Sequence, residues 1–275
     1  MAIDSSRLQR HVQLEALRNV REVGGYTGRA GQLVRWHRLY RADDLGRATP
    51  ADRSALAGLG IRTVIDLRSP AEVRARPGPT LPGAPVDRRH LPLLRDGWQA
   101  RRAAPVGPSG PGEPTSEAGA AGSTRTGGAG AGAGEGELVG RYVEMLVEGA
   151  PAVAEVLAVL AAPTSYPVLV HSALGKDRTG VLLAVVLGLL AVHDESIVED
   201  YALSEPLLGP DAPALLPRFV HDPTLVANAA AGAPPAAMAA LLARIRDRAR
   251  SMVGFARSIG VPFETIEALH QNLLS

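Results

Sequence analysis

Residues 167–180 read Pro-Val-Leu-Val-His-Ser-Ala-Leu-Gly-Lys-Asp-Arg-Thr-Gly, and residues 181–192 continue Val-Leu-Leu-Ala-Val-Val-Leu-Gly-Leu-Leu-Ala-Val. Pro167 to His171 is a short apolar run, read as a buried strand. Thr179 to Val192 reads as an apolar helix, and its 12-residue apolar core is too short to span a bilayer, which takes about 20 residues. Between them lies a polar loop that enters a helix N-terminus. Such a loop is an anion cradle, because the first helical N–H groups lack partners and the helix dipole favours negative charge. Arg178 sits at the loop–helix junction and can grip two oxygens bidentately. Lys176 adds positive charge, and Asp177 places an acid where a leaving group would need a proton. A triphosphate loop of the form G-x-x-x-x-G-K-[ST] is excluded, because Gly175-Lys176 is followed by Asp177 and Val170 stands where the first Gly would be.

Outward from this segment, strand and helix signals alternate. Leu39-Tyr40-Arg41 and Ile61 to Leu67 read as strands. Thr49-Pro50-Ala51-Asp52 opens a helix running to about Gly58, and Ser69-Pro70-Ala71-Glu72 is a capping box. Leu138 to Ala162 has helical periodicity that breaks near Gly149-Ala150-Pro151. Asp194 is expected to cap a helix through Leu203. Met238 to Ser258 reads as one amphipathic helix, with Met238, Leu241, Leu242 and Ile245 on one face and its five Arg residues mostly off it. Alternating elements predict an α/β fold with a central, mostly parallel sheet and helices on both faces.

Residues 101–136 hold 11 Gly, 8 Ala and 4 Pro with no periodicity, and are expected to be a flexible insertion. A weaker break falls at Ala227 to Pro235. The expected organisation is one domain over 1–275, with a helical section at about 205–275 whose role as a lid is left open.

The chain has 275 residues, 29 Lys+Arg against 28 Asp+Glu, and no cysteine. The 46% hydrophobic content excludes full disorder, and the net charge of +1 argues against a nucleic-acid binder. Without cysteine there are no disulfides, cysteine zinc sites or iron–sulfur clusters. His11, His37, His90, His193, His221 and His270 show no metal-ligand spacing, so no metal and no cofactor are expected. No apolar segment of a secretory signal is read at the N-terminus, and a cytoplasmic location is expected. Lys176 is the sole Lys beside 28 Arg, which suggests that this position needs Lys.

His171 to Gly180 resembles the signature loop of the protein-tyrosine and dual-specificity phosphatase superfamily, H-C-x-x-G-x-x-R-[ST]-G. It is most similar to the bacterial branch written H-C-x-A-G-K-D-R-T-G. Asn19 to Tyr26 resembles that branch's N-x-R-[DE]-x-G-G opening. Arg38 to Asp43 resembles its R-L-x-R-[SA] strand, and Asp66-Leu67-Arg68-Ser69 with Glu72 its D-L-R-S-x-x-E turn. Asp200 to Ser204 resembles the helix that follows the apolar one. The matches run in family order over most of residues 19–96 and 138–204.

The resemblance implies a phosphatase-type three-layer sandwich and a phosphate-monoester hydrolase. It implies that Ala173, Leu174, Gly175, Lys176 and Arg178 bind the phosphoryl group and that Asp177 is the general acid. Thr179 would hydrogen-bond the nucleophile and His171 would help set its pKa. Asp66 and Arg68 are either a salt-bridge network at the sheet edge or a support that orients Arg178 or the substrate. Asn19, Arg21 and Gly24-Gly25 are expected to shape a turn under the loop; Tyr40, Tyr142 and Tyr201 are expected in the core or at the rim, and Trp98 near the pocket mouth. The implied partners are a phosphorylated protein or a small phosphorylated metabolite. No nucleic acid is expected, and contact with membrane phosphoinositides is kept open but not favoured.

The departure from the family falls on the nucleophile, where Ser172 replaces Cys. An alcohol titrates near water, at about 15.7, and a site shift of ~3–5 units leaves it neutral at pH 7. A neutral alcohol needs a base beside it, and His171, the adjacent strand residue, points to the opposite face. Three readings stay open: a substrate-trapping Cys-to-Ser form, a pseudophosphatase that binds without turnover, or a slow serine enzyme.

Overall fold

Five strands form one sheet: β1 (Arg21–Glu22), β2 (Leu39–Ala42), β3 (Thr63–Asp66), β4 (Asp87–His90) and β5 (Val168–His171). The computed structural model describes residues 10–94, 130–216, 230 and 232–275. The strand order is β1-β2-β5-β3-β4, parallel throughout except for β1 against β2. The central strands β2, β3 and β5 are almost fully buried, as expected for parallel strands covered on both faces. The edge strand β4 is exposed at all four positions and carries Asp87, Arg88, Arg89 and His90, charge that discourages edge-to-edge pairing.

Alternation along the strands divides the core. Leu39, Ile65, Val168 and Val170 point into a large cluster on one face, while Tyr40, Ala42, Val64 and Leu169 point into a smaller one on the other. The smaller cluster is covered by helix α1 (Pro50–Gly58), whose Leu56 is fully buried, and by Leu17, Val20 and Leu45. Thr49 caps α1 in a capping box with Asp52, and Ser69 caps α2 (Pro70–Ala75) in a box with Glu72, both as the sequence predicts.

The large cluster is built by α3 (Gly130–Glu148), α4 (Ala150–Ala161), α5 (Asp177–Leu189), α6 (Asp194–Ala202), α8 (Pro235–Ala249), α9 (Met252–Ser258) and α10 (Phe263–Leu273), with the short α7 (Ser204–Leu208) following α6. Helix α5 is buried at every position from Asp177 to Leu187, which makes it the core helix that its all-round apolar sequence predicts. Burying each of its Val and Leu side chains contributes about 1.5–3 kcal/mol. Gly188 lets α9 approach, since a Cβ there would lie 2.7 Å from Met252 Cε.

Three expectations are corrected. Helix α3 starts at Gly130, so the last residues of the expected 101–136 insertion are helical; the rest of that stretch, Trp98 and residues 227–229 and 231 of the 227–235 break lie outside the described residues. The apolar half of α3, with buried Leu138, Val139, Tyr142 and Met145, supplies the nucleus from which the Ala- and Glu-containing first turns propagate. The helix expected over 238–258 is two helices. Arg250 adopts a left-handed φ of 66° and ends α8, and Ser251 then caps α9 by accepting from Gly254 N. A Cβ at Gly254 would lie 2.1 Å from Ala249 O, so this corner needs glycine. Asp194 is the first residue of α6 rather than its side-chain cap, and pairs with Arg246 of α8.

The register sets the place of the site. Ala42 and Asp66 both lie opposite His171, so β2, β5 and β3 end in line, and the loops after them meet at their carboxyl ends.

Candidate active site

The loop from Ser172 to Lys176 is held from beneath by the N-terminal third of the chain. Asn19 Nδ2 donates to Leu174 O at 2.8 Å, Arg41 Nη2 to Gly175 O at 2.5 Å, and Asp44 N to Ala173 O at 3.3 Å. Gly175 has φ 62°, and a Cβ there would stand 2.3 Å from Ala42 O, so only glycine fits. The carbonyls of Ala173, Leu174 and Gly175 are thus all engaged. Their N–H groups make no hydrogen bond among the described residues. Three consecutive free donors, next to the start of α5, form a ready anion site.

The charged groups are placed in pairs. Arg178, 4% exposed, forms a two-pronged pair with Glu72: Nη2 donates to Oε1 at 2.8 Å and Nη1 to Oε2. Burial alone would raise the Glu72 carboxyl, but Arg178 outweighs it and holds the carboxyl below the usual range. Asp66 and Arg68 form a network of their own. Arg68 Nε reaches Asp66 Oδ1 at 2.9 Å, its Nη2 reaches Asp66 Oδ2 at 2.6 Å, and its Nη1 reaches Asp44 Oδ1 at 2.6 Å. Arg68 is fully buried and points to these carboxylates, and the Arg178 guanidinium pairs with Glu72 rather than with Asp66.

Ser172 is 2% exposed, and Thr179 Oγ1 donates to its Oγ at 3.0 Å. No base touches that hydroxyl among the described residues. His171 points its Nε2 to Asp66 Oδ2 at 3.5 Å, and its Nδ1 has no partner. Burial, aided by the charges of Arg68, Arg88 and Arg178, lowers His171 to about 4, so its ring is neutral at pH 7.

Beside the loop, Tyr142 OH donates to Asp177 Oδ1, and the hydroxyls of Tyr142 and Tyr201 lie 2.7 Å apart. Tyr142 and Tyr201 are indeed buried, but the Tyr142 hydroxyl reaches the acid of the loop and the Tyr201 hydroxyl reaches it through Tyr142. Lys176 is 1% exposed; its Nζ donates to Gly232 O and lies 3.8 Å from Asp177 Oδ1. Behind the loop, Asp200 accepts from Arg21 Nε at 3.1 Å, from Arg41 Nη1 and from Tyr26 OH at 3.2 Å. Burial would raise Asp200, but Arg21 and Arg41 hold it down to about 2. Gly24 and Gly25 lie against the Trp36 ring rather than under the loop. Ala173 and Leu174 pack with Leu208, Ala212, Leu215 and Leu216.

Sequence reasoning singled out Arg178, Asp177, Lys176, Ser172, Thr179 and His171, and all six lie within this loop or beside it. It gave Arg41 and Asp200 no role beyond their place in resembling motifs, read Tyr142 as core or rim, and read Glu72 as a cap and part of the D-L-R-S-x-x-E turn without pairing it to Arg178. For Glu72 a signal existed: the third helical residue of α2 follows directly on a strand that neighbours β5. For Tyr142 none existed, because a Tyr on an apolar helix stripe reads as core.

The buried acids give a pH signature. His171 sits at about 4 in the fold against an ordinary ~6.5, so the unfolded chain takes up a proton first as pH falls. This contribution is intact above about pH 6.5 and shrinks until pH 4. The urea-unfolding free energy is expected to drop by about 2 kcal/mol between pH 7.5 and 5. A His171→Gln variant should lack that drop. Asp66 and Asp200, both at about 2, keep their contribution above about pH 4 and lose it as pH falls through 2.

The chain is similar in sequence to known proteins. A family model described as the tyrosine phosphatase family matches residues 12–275. A tyrosine-protein phosphatase of Nostoc commune is 30% identical over 165 residues, 60% of this chain and 47% of that protein. A triple specificity protein phosphatase PtpB of Mycobacterium tuberculosis is 34% identical over 185 residues, 64% of this chain and 62% of that protein. The chain thus spans about half to three fifths of the length of these relatives. No helix among the described residues is long and apolar enough to cross a membrane. The sheet with its loop at the carboxyl ends is the frame that the family match covers almost from end to end, and the chain belongs to the tyrosine phosphatase family.

Proposed function

We propose that the protein is a phosphate-monoester hydrolase whose loop 171–180 holds the phosphoryl group of a phosphorylated protein or metabolite. The observation that carries this reading is the trio of free, buried N–H groups at Ala173, Leu174 and Gly175 beside the Arg178–Glu72 pair. Arg178 retains N–H donors beyond the two given to Glu72, and these are directed by that pair. Asp177 serves as the general acid, Thr179 orients the group at position 172, and Lys176 adds charge. Asp66 and Arg68 support the end of β3. The domain is read as one unit over 1–275, because the large core cluster draws residues from Val23 to Leu274.

A second reading is favoured by Ser172. Among the described residues its hydroxyl meets Thr179 and no base, so the chain binds a phosphoester with little or no turnover.

Calorimetric titration with inorganic phosphate and with phosphotyrosine tests the pocket itself. Arg178→Lys keeps the charge beside Glu72 but removes the planar fork, and is expected to weaken binding by about tenfold or more. Equal affinity in both forms, or no binding to the unaltered chain, would overturn the reading.

A further inference from the structure

A line of three buried groups runs from α6 through α3 to the start of α5. Tyr142 OH donates to Asp177 Oδ1, and Tyr201 OH lies 2.7 Å from Tyr142 OH. A phenol carries one proton. Tyr142 gives its proton to Asp177, so Tyr201 must be the donor to Tyr142, and the line runs one way toward the carboxyl group. Lys176 Nζ lies 3.8 Å from the same oxygen, Oδ1. Asp177 Oδ2 makes no hydrogen bond among the described residues. The two oxygens of one carboxyl group are thereby made unlike. Oδ1 faces a donor and a cation, while Oδ2 is free.

We propose that Tyr142, backed by Tyr201, is a positioning residue that confines the acidic proton of Asp177 to Oδ2. A proton on Oδ1 would face the Tyr142 hydroxyl donor to donor and the Lys176 ammonium. On Oδ2 it meets neither. The inference rests on reading Asp177 as the general acid. In the step it serves, written for the Ser172→Cys form, a bond forms between phosphorus and the thiolate at position 172 as the bond from phosphorus to the leaving oxygen breaks. The electron pair of that bond stays on the leaving oxygen, which takes the proton from Oδ2. Asp177 is left as a carboxylate whose Oδ1 still accepts from Tyr142, so the hydrogen bond is kept through the transfer. Burial, together with the neighbouring Asp177 carboxylate, raises both phenols well above their ordinary range, and the donors persist at any working pH.

The test uses the full chain carrying Ser172→Cys, with two substrates. Phenyl phosphate has a poor leaving group that needs the acid, and 4-nitrophenyl phosphate has a good one that needs it less. Tyr142→Phe is expected to lower kcat on phenyl phosphate about tenfold more than on 4-nitrophenyl phosphate, with KM changed by about twofold or less. Added to Asp177→Asn, it should cause no further loss beyond about twofold, because the two side chains act as one unit. Tyr201→Phe keeps the Tyr142–Asp177 bond and should give the same selectivity in smaller measure; it carries the test if Tyr142→Phe does not fold. Equal losses on both substrates, or losses that multiply with Asp177→Asn, would overturn the inference alone. If Asp177→Asn itself strikes both substrates alike, or Ser172→Cys hydrolyses neither, the general-acid reading falls and takes this inference with it.

Discussion

Ser172→Cys is expected to raise kcat on an aryl phosphate by about four orders of magnitude. The estimate follows from ionisation. An alcohol near ~15.7 is ionised to roughly two parts in 10⁹ at pH 7, whereas a thiol in such a loop is pulled below 7 and is mostly thiolate. The greater intrinsic reactivity of an alkoxide returns about half of that on a logarithmic scale, at a Brønsted slope of ~0.4–0.5. Among the described residues no base is hydrogen-bonded to Ser172 Oγ to close the remainder. Thr179 donates to it, and His171 is turned to Asp66. Phosphate release measured on the two forms side by side decides the matter. A ratio near one would mean that the hydroxyl is activated by a group outside this geometry. The binding reading of the unaltered chain gains directly from a large ratio, since the pocket is then competent and only the nucleophile is lacking.

Asp200→Asn is expected to lower stability by about 3–5 kcal/mol, read as a shift of the urea midpoint at pH 7. Asp200 is the shared counter-ion of two buried guanidinium groups, Arg21 and Arg41. Removing its charge leaves both cations out of water with no compensating anion. Arg41 already shows the strain of its surroundings: burial and the nearby Arg21 pull it down to about 10 despite Asp200. The damage should reach the loop, because Arg41 also holds Gly175 O at 2.5 Å. Phosphate affinity should therefore fall in step with stability. A loss below about 1 kcal/mol would show that water replaces the carboxylate.

Much of this was legible in the chain. The alternation of apolar runs and capping boxes marked β3, β5, α1, α2 and α5, because each is decided locally, by branching, periodicity or a Ser or Thr before a Pro. The loop residues could be named because strand, loop and helix follow one another within 14 positions. The rest depended on distance. Glu72 meets Arg178 across 106 residues, and Arg41 meets Gly175 across 134, pairings that no local pattern encodes. The break at Arg250 escaped notice for another reason: a left-handed Arg is uncommon at a helix end, where Gly or Asn is the usual signal.

The same distances bear on how the molecule is made. Asn19 reaches Leu174 across 155 residues and Arg21 reaches Asp200 across 179. Contacts so remote are formed late, after the entropy of closing large loops has been met. During synthesis the loop 171–180 emerges with its strand and helix but without α6, so Asp200 is still missing when Arg21 and Arg41 wait for it. The loop acquires its shape only once residues on both sides of the chain have come together, as the central sheet itself does when β2 meets β5.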